Sequence, residues 1–209
     1  MTHQKIARLL LDAQAVRLRP EDPFTWSSGW KSPIYCDNRV TLSYPEARTF
    51  IKHALADAIR QSFAEVQAIA GVATAGIAQG ALVADVLNLP YLYVRPEPKK
   101  HGMGNQIEGR VEPGQKVVVI EDLISTGGSS LKVVDALRQA DVEVLGMAAI
   151  FTYGFGVADR NFAEKGVKLL TLSNYDTLIE EALSLNYVSS DALTSLKAWR
   201  ENPAEWTGI

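Results

Sequence analysis

Two acidic residues stand beside a run of hydroxyl and glycine residues in one short segment. Four apolar residues, Val117–Ile120, lead into Glu121 and Asp122, and the segment ends in Ser125-Thr126-Gly127-Gly128-Ser129-Ser130. A glycine- and hydroxyl-rich turn that opens a helix suits a phosphate, because the first backbone N–H groups of a helix lack partners within it. The two carboxylates would repel a phosphate and are better suited to hydroxyl groups or a metal ion. The segment therefore predicts a site for a sugar phosphate.

The elements around this segment alternate between strands and helices, which positions the acids at one edge of a sheet. We predict strands over 68–73, 91–94, 116–121, 144–151 and 167–172. We predict the intervening helices over 76–87, 129–140 and 157–165. Apolar strands that alternate with helices predict an α/β fold with a central parallel sheet covered on both faces. Ligands of such sheets bind beyond the carboxyl ends of the strands, where Glu121 and Asp122 fall.

Three further helices are predicted outside this alternating part. Apolar residues recur at helical spacing between Ile6 and Val16. Pro45 is suited to the first turn of a second helix, which runs through Ile59. A closing helix is predicted over 191–199, with Asp191 as its N-cap.

The bulk composition favours one globular domain over residues 1–209. The chain is 47% hydrophobic and 22% charged, and its net charge of −3 gives no overall attraction to nucleic acid or an anionic membrane. Cys36 is the only cysteine, so we expect no disulfide within the chain, and we interpret Cys36 as a small buried hydrophobe. We expect a cytoplasmic protein with no nucleic-acid or membrane partner, whose partners are small molecules or a second copy of the chain.

One polar segment, residues 95–110, interrupts the alternation. It is rich in glycine and contains Arg95, Lys99, Lys100 and His101. A long loop inside a compact domain is usually functional or disordered, and a lid over an active site can be both in turn. We therefore interpret this segment as a candidate lid.

Three segments resemble one family of enzymes. Val117–Ser130 is similar to the motif by which type I phosphoribosyltransferases bind 5-phosphoribosyl 1-diphosphate. Phe24–Tyr35 resembles the N-terminal substrate segment of the orotate phosphoribosyltransferases within that family, and Lys99–Gly102 resembles their mobile catalytic loop. The resemblance implies the type I phosphoribosyltransferase fold, a central parallel sheet flanked by helices. A small N-terminal hood, formed mainly by residues 1–40, and C-terminal helical additions would complete it.

The resemblance also implies the reaction, transfer of the 5-phosphoribosyl group to orotate in pyrimidine synthesis. Glu121 and Asp122 would accept hydrogen bonds from the ribose hydroxyls, and the turn at 125–129 would hold the 5-phosphate. The donor-binding residues so implied are Arg95, Lys99, Lys100, His101, Glu121, Asp122, Leu123, Ile124, Ser125, Thr126, Gly127, Gly128 and Ser129. The catalytic residues so implied are Lys99, His101 and Asp122. Mg²⁺ would be carried by the donor and not by dedicated protein ligands, and the catalytic loop would act in the neighbouring subunit of a homodimer with shared active sites.

The orotate-binding residues implied by the resemblance are Ser125, Lys31, Ser27 and Tyr153. The chain departs from the family pattern in this half of the site, because Ser27 and Trp30 stand where many relatives carry lysine and arginine. Tyr153 stands near the position of a further arginine. A second turn, Thr74-Ala75-Gly76-Ile77-Ala78, follows a strand and opens a helix, so it is a candidate for binding the diphosphate.

Each of these features also has a simpler structural explanation. Asp122 and Ser125 could form only a helix cap and a turn, and the basic loop could be a solvated surface. Trp26, Trp30 and Tyr35 could pack in the core or at a dimer interface. Two other functions remain open: a purine phosphoribosyltransferase would need the same phosphate motif, and a regulator with this fold could bind RNA. The acidic balance counts against the regulator, since binding of nucleic acid usually needs a broad positive face.

Overall fold

A six-stranded sheet forms the centre of the fold. The computed structural model describes residues 2–26, 29–97 and 106–208. In that part of the chain the strands are β1 Val16–Leu18, β2 Phe24–Thr25, β3 Lys31–Ser32, β4 Ile34–Cys36, β5 Ala68–Val72, β6 Tyr91–Val94, β7 Ile107–Glu108, β8 Lys116–Ile124, β9 Glu143–Thr152 and β10 Leu169–Asn174. The central sheet has the order β10-β9-β8-β5-β6-β7. Its strands are parallel except for β7, which pairs antiparallel with β6.

Helices cover both faces of this sheet, as the apolar strands predict. The helices are α1 Thr2–Asp12, α2 Pro45–Ser62, α3 Gly76–Leu87, α4 Gly128–Gln139, α5 Gly156–Glu164, α6 Tyr175–Ser184 and α7 Ala192–Glu201. Side chains of β8 alternate between two hydrophobic clusters. Val118 and Ile120 join the cluster that contains buried residues of α1, α2, α3, α6 and α7. Val117 and Val119 join the cluster formed with α4 and α5.

Two small antiparallel pairs precede the central sheet. β1 pairs with β4, and β2 pairs with β3 through only two residue pairs, Phe24↔Ser32 and Thr25↔Lys31. A short 3-10 helix, Asn38–Ser43, then leads into α2. Among the helices that the structure describes, none is long and apolar enough to cross a membrane.

Most predicted elements agree with the structure, although several of their ends are shifted by one to three residues. The prediction that the first helix includes Val16 is wrong: the helix ends at Asp12, and Val16 pairs with Cys36 in β1. Three further details differ. β8 continues three residues beyond the predicted end at Glu121, because it stays paired with β9 as far as Ile124. Helix α6 has no predicted counterpart. The prediction that Asp191 caps the last helix is wrong: the backbone of Asp191 is already helical and its side chain makes no capping bond, whereas the backbone N–H of Ala192 donates to the hydroxyl of Ser189.

Candidate active site

The candidate site lies where the connections of the central sheet diverge. β5 leads through α3 to β6 on one side, and β8 leads through α4 to β9 on the other. Such a switch point opens a crevice at the carboxyl ends of the two central strands. Gly76 is needed for the two halves to approach, because a Cβ there would lie 2.5 Å from the carbonyl oxygen of Ile120. The start of α3 therefore packs directly on β8, one residue before the acid pair.

The turn between β8 and α4 depends on glycine. Gly127 has a left-handed φ of 79°, and a Cβ there would lie 2.7 Å from the Phe162 ring. A Cβ on Gly128 would meet only the Thr126 hydroxyl, at 3.8 Å, so the first turn of α4 is open at this point. From outside, the Asn161 amide donates to the carbonyl oxygen of Thr126 at 2.9 Å. The turn is thus held firmly, and the positive end of the α4 dipole faces an open surface suited to an anion.

Glu121 is buried, with only 6% of its surface exposed. One of its carboxylate oxygens accepts a hydrogen bond from the backbone N–H of Asp122 at 2.9 Å. The other accepts a hydrogen bond from the Ser130 hydroxyl at 2.8 Å. Burial raises the pKa of Glu121 well above its ordinary range, and the neighbouring Asp122 carboxylate raises it further. Glu121 therefore joins the end of β8 to the first turn of α4.

Asp122 is the more accessible member of the pair. It is half-buried, and burial raises the pKa of its carboxyl group less strongly than that of Glu121. Its backbone carbonyl lies beyond the last residue pair of β5 and β8, Gly71↔Ile120. The amide of Asn38, which is 1% exposed, donates to this carbonyl at 2.7 Å. The 3-10 helix thereby fixes the backbone of β8 beyond the point where the pairing with β5 has ended.

A cavity of about 470 Å³ opens beside the turn. It is lined by Thr25, Trp26, Tyr35, Cys36, Leu123, Ser125 and Tyr153. The rings of Trp26 and Tyr153 lie 5.3 Å apart between centroids, so the cavity has aromatic walls. Ser125 belongs both to this cavity and to the turn before α4. We refer to the cavity below as the aromatic pocket.

The structure places the predicted orotate-binding residues differently with respect to the aromatic pocket. Ser125 and Tyr153 line it, whereas the ammonium of Lys31 donates to the Thr25 hydroxyl at 3.0 Å and so lies at its rim. Ser27 lies outside the described residues. The interpretation of Cys36 as a buried hydrophobe is incomplete, because the residue is half-buried and lines the pocket. Burial and the nearby Asp122 raise the pKa of that thiol well above its ordinary value.

The predicted donor-binding residues divide into two groups. Glu121 through Ser129 form the continuous end of β8, the turn and the start of α4. Ile124 is fully buried, and Leu123 lines the aromatic pocket. Arg95 lies just after β6, where its guanidinium pairs with Glu108 at 3.3 Å. Lys99, Lys100 and His101 lie outside the described residues.

Comparison with known proteins agrees with this geometry. The sequence family described as the phosphoribosyl transferase domain matches residues 44–181. An orotate phosphoribosyltransferase of Cytophaga hutchinsonii is 60% identical over 97% of this chain and 97% of its own. One of Porphyromonas gingivalis is 57% identical over 96% of both chains. The chain belongs to the orotate phosphoribosyltransferase family.

Solved structures of similar proteins show the same fold. The orotate phosphoribosyltransferase from Aeropyrum pernix is 32% identical, with a TM-score of 0.77 over 88% of this chain and 99% of its own. The UMP synthase of Leishmania donovani is 25% identical, with a TM-score of 0.80 over 94% of this chain and 42% of its own. The matched domain ends at residue 181, so α7 and the segment before residue 44 lie outside it.

Proposed function

We propose that the chain transfers the 5-phosphoribosyl group from 5-phosphoribosyl 1-diphosphate to orotate, which yields orotidine 5'-phosphate and diphosphate. One observation carries the proposal: Ser125 belongs both to the turn that opens α4 and to the aromatic pocket. A phosphate on that turn and a planar base in that pocket would be held by adjacent parts of one site. The names of the near-full-length relatives support orotate as the base.

The donor half of the site uses the turn and the acid pair. The 5-phosphate would lie on the backbone N–H groups and hydroxyls of residues 125–129, at the positive end of the α4 dipole. The half-buried Asp122 would accept hydrogen bonds from the ribose hydroxyls. Both oxygens of Glu121 already accept hydrogen bonds within the protein. This supports a second role for Glu121, in which its carboxylate fixes the backbone of Asp122 by accepting from the Asp122 N–H.

The acceptor half uses the aromatic pocket. Trp26 and Tyr153 offer apolar ring surfaces to a planar pyrimidine. The ammonium of Lys31 at the rim is placed to attract the carboxylate of orotate, a group that purine bases lack. Ser125 would contact the base from the side of the sugar. This arrangement favours an anionic pyrimidine over a purine.

The chemical step separates diphosphate from the anomeric carbon of the ribose. Positive charge develops on the sugar ring as the diphosphate leaves, and the Asp122 carboxylate would stabilise that charge more in the transition state than in the ground state. Arg95, Lys99, Lys100 and His101 would neutralise the departing diphosphate. His101 could also donate a proton, since histidine titrates near neutral pH. We propose that the loop with Lys99, Lys100 and His101 comes from the partner in a homodimer.

Magnesium enters this proposal as part of the donor substrate. The available protein ligands fit such an ion, because Asp122 is a half-buried carboxylate while both Glu121 oxygens are engaged. Mg²⁺ commonly keeps most of its oxygen ligands from water and phosphates, with one or two protein carboxylates. When bound, it would balance the charge of the diphosphate.

A panel of bases tests the choice of acceptor. The purified protein would be supplied with donor and magnesium together with orotate, adenine, hypoxanthine or xanthine, and released diphosphate would be measured. We expect release with orotate and none above background with the three purines. Turnover of a purine without turnover of orotate would replace the proposal with a purine phosphoribosyltransferase.

A further inference from the structure

Trp199 lies behind the aromatic pocket and does not line it. It belongs to α7, outside the matched phosphoribosyl transferase domain, and its side chain is fully buried. Its ring packs on both aromatic walls of the pocket, with centroids 5.6 Å from Trp26 and 5.7 Å from Tyr153 in edge-on arrangements. A rigid indole in contact with both walls fixes their relative position.

The same indole also holds the hairpin formed by β2 and β3. Its N–H donates to the backbone carbonyl of Lys31 at 3.2 Å, across 168 residues of sequence. The hairpin has only two residue pairs, and a two-stranded hairpin is at best marginally stable by itself. Thr25 and Trp26 on its first arm line the aromatic pocket, and Lys31 on its second arm lies at the rim. One buried residue therefore connects both arms of the hairpin to the wall formed by Tyr153.

We propose that Trp199 is a positioning residue for the acceptor: through Trp26, Tyr153 and the Lys31 carbonyl it keeps the aromatic pocket in the shape that receives the base. The inference rests on the proposed function, because it takes the base to be the occupant of this pocket. It assigns Trp199 no contact with the donor, which the turn before α4 holds.

Trp199→Phe tests this role, because it keeps an aromatic ring and removes the N–H. We expect the KM for orotate to rise about five- to tenfold, as for loss of a buried hydrogen bond that orders the pocket. We expect the KM for the donor and kcat to stay within about twofold of wild type. Trp206→Phe is the matched control, since the Trp206 indole donates to Ser195 within the C-terminal region at 3.0 Å. It should leave both KM values unchanged.

Tyr175→Phe tests the positioning role of Trp199 if Trp199→Phe does not fold. The hydroxyl of Tyr175 donates to the carbonyl of Leu196 at 3.0 Å. The centroid of its ring lies 5.2 Å from that of Trp199. Tyr175→Phe should loosen α7 more gently and raise the KM for orotate alone by about two- to threefold. Equal changes in both KM values, or an unchanged KM for orotate, would overturn the positioning role. Wild-type protein that consumes no orotate would instead overturn the proposed function, and this inference with it.

Discussion

The two adjacent acids have different environments and, we propose, different roles. Glu121 is buried, and its oxygens accept hydrogen bonds from the Asp122 backbone and the Ser130 hydroxyl. Asp122 is half-buried, and the Asn38 amide holds its carbonyl. A buried carboxyl with a strongly raised pKa is the first of the two to take up a proton. Asp122 is thus better suited to carry negative charge toward the sugar.

Asp122→Asn should therefore reduce turnover with little change in folding. We expect kcat to fall about 100-fold or more at saturating concentrations of both substrates, because the variant loses the charge that stabilises the transition state. Asp135→Asn is a matched control, since Asp135 pairs with Lys165 on the exposed face of α4. It should leave kcat within about twofold. A loss below about fivefold in Asp122→Asn would contradict the proposed role.

Glu121 should make the protein less stable as the pH rises. The raised pKa means that the folded state retains a proton that the unfolded chain releases above the ordinary value of 4.5. The contribution of protonated Glu121 to the free energy of unfolding is therefore fully present below pH 4.5. It is lost as the pH rises toward the pKa that Glu121 has in the folded state. Thermal unfolding measured from about pH 5 to about pH 8 should show this decline in wild type and a shallower one in Glu121→Gln.

Ser130→Ala should change the pH dependence of stability in the direction opposite to Glu121→Gln. The Ser130 hydroxyl lowers the pKa of Glu121 by donating to its carboxylate, so its removal should extend the decline to higher pH. We also expect a loss of about 1 to 3 kcal/mol in unfolding free energy, because a buried acceptor loses its donor. The same pH dependence in all three proteins would show that Glu121 is not the group responsible.

At the residue scale, the sequence predicts which side chains gather but not which way each one faces. The acid pair and the hydroxyl run are recognisable because they are consecutive. The inward direction of Glu121 depends on Ser130, nine residues further on and on another element. Cys36 likewise lines the aromatic pocket together with Leu123 and Tyr153, which are distant in sequence. Such contacts arise from tertiary packing, which local patterns do not encode.

At the scale of elements, the turn between β8 and α4 sets the geometry of the donor half. Gly127→Ala should lower the unfolding free energy by about 2 to 4 kcal/mol, since it combines a left-handed φ with a Cβ that approaches Phe162. Gly114→Ala is the matched control: Gly114 has a similar φ of 77°, and a Cβ there would meet no atom within 4 Å. It should lose only about 1 to 2 kcal/mol. Equal losses in urea unfolding would show that contact with Phe162 has no part in fixing the turn.

The elements that the sequence predicts best have clear signals at both ends. Helix α3 and strand β6 begin and end at the predicted residues, and α3 stops at Asn88, which adopts the left-handed conformation typical of helix ends. Helix α6 also had usable signals, because Tyr175, Leu178, Ile179 and Ala182 are buried at helical spacing. The Asn174 side chain caps this helix by accepting from the Thr177 N–H. The end of β8 was harder to predict, since pairing with β9 carries the strand through two charged residues.

At the scale of the whole molecule, we propose a single domain that is completed by its partner. The described residues contain the donor turn, the aromatic pocket and Arg95, whereas Lys99, Lys100 and His101, also proposed for the diphosphate, lie between the described ranges. Mixing Asp122→Asn chains with Lys99→Ala chains should restore activity, because each mixed dimer regains one intact site. After complete exchange we expect about a quarter of wild-type turnover.

The control for this mixing experiment uses two changes in the same half of the site. Asp122→Asn mixed with Gly127→Ala should give no turnover above the average of the two parent variants, since every site in a mixed dimer then contains one changed donor half. Exchange of subunits would be verified with chains that carry different affinity tags. No recovery in the first mixture after verified exchange would mean that each chain works alone.

The central claim is that this chain joins orotate to the phosphoribosyl group of 5-phosphoribosyl 1-diphosphate. The most direct measurement follows the absorbance of orotate together with released diphosphate in one reaction. We predict that the two change in equal amounts, and that omission of either the donor or magnesium stops both. Orotate that stays constant while donor and magnesium are present would contradict the account, as would diphosphate released without loss of orotate.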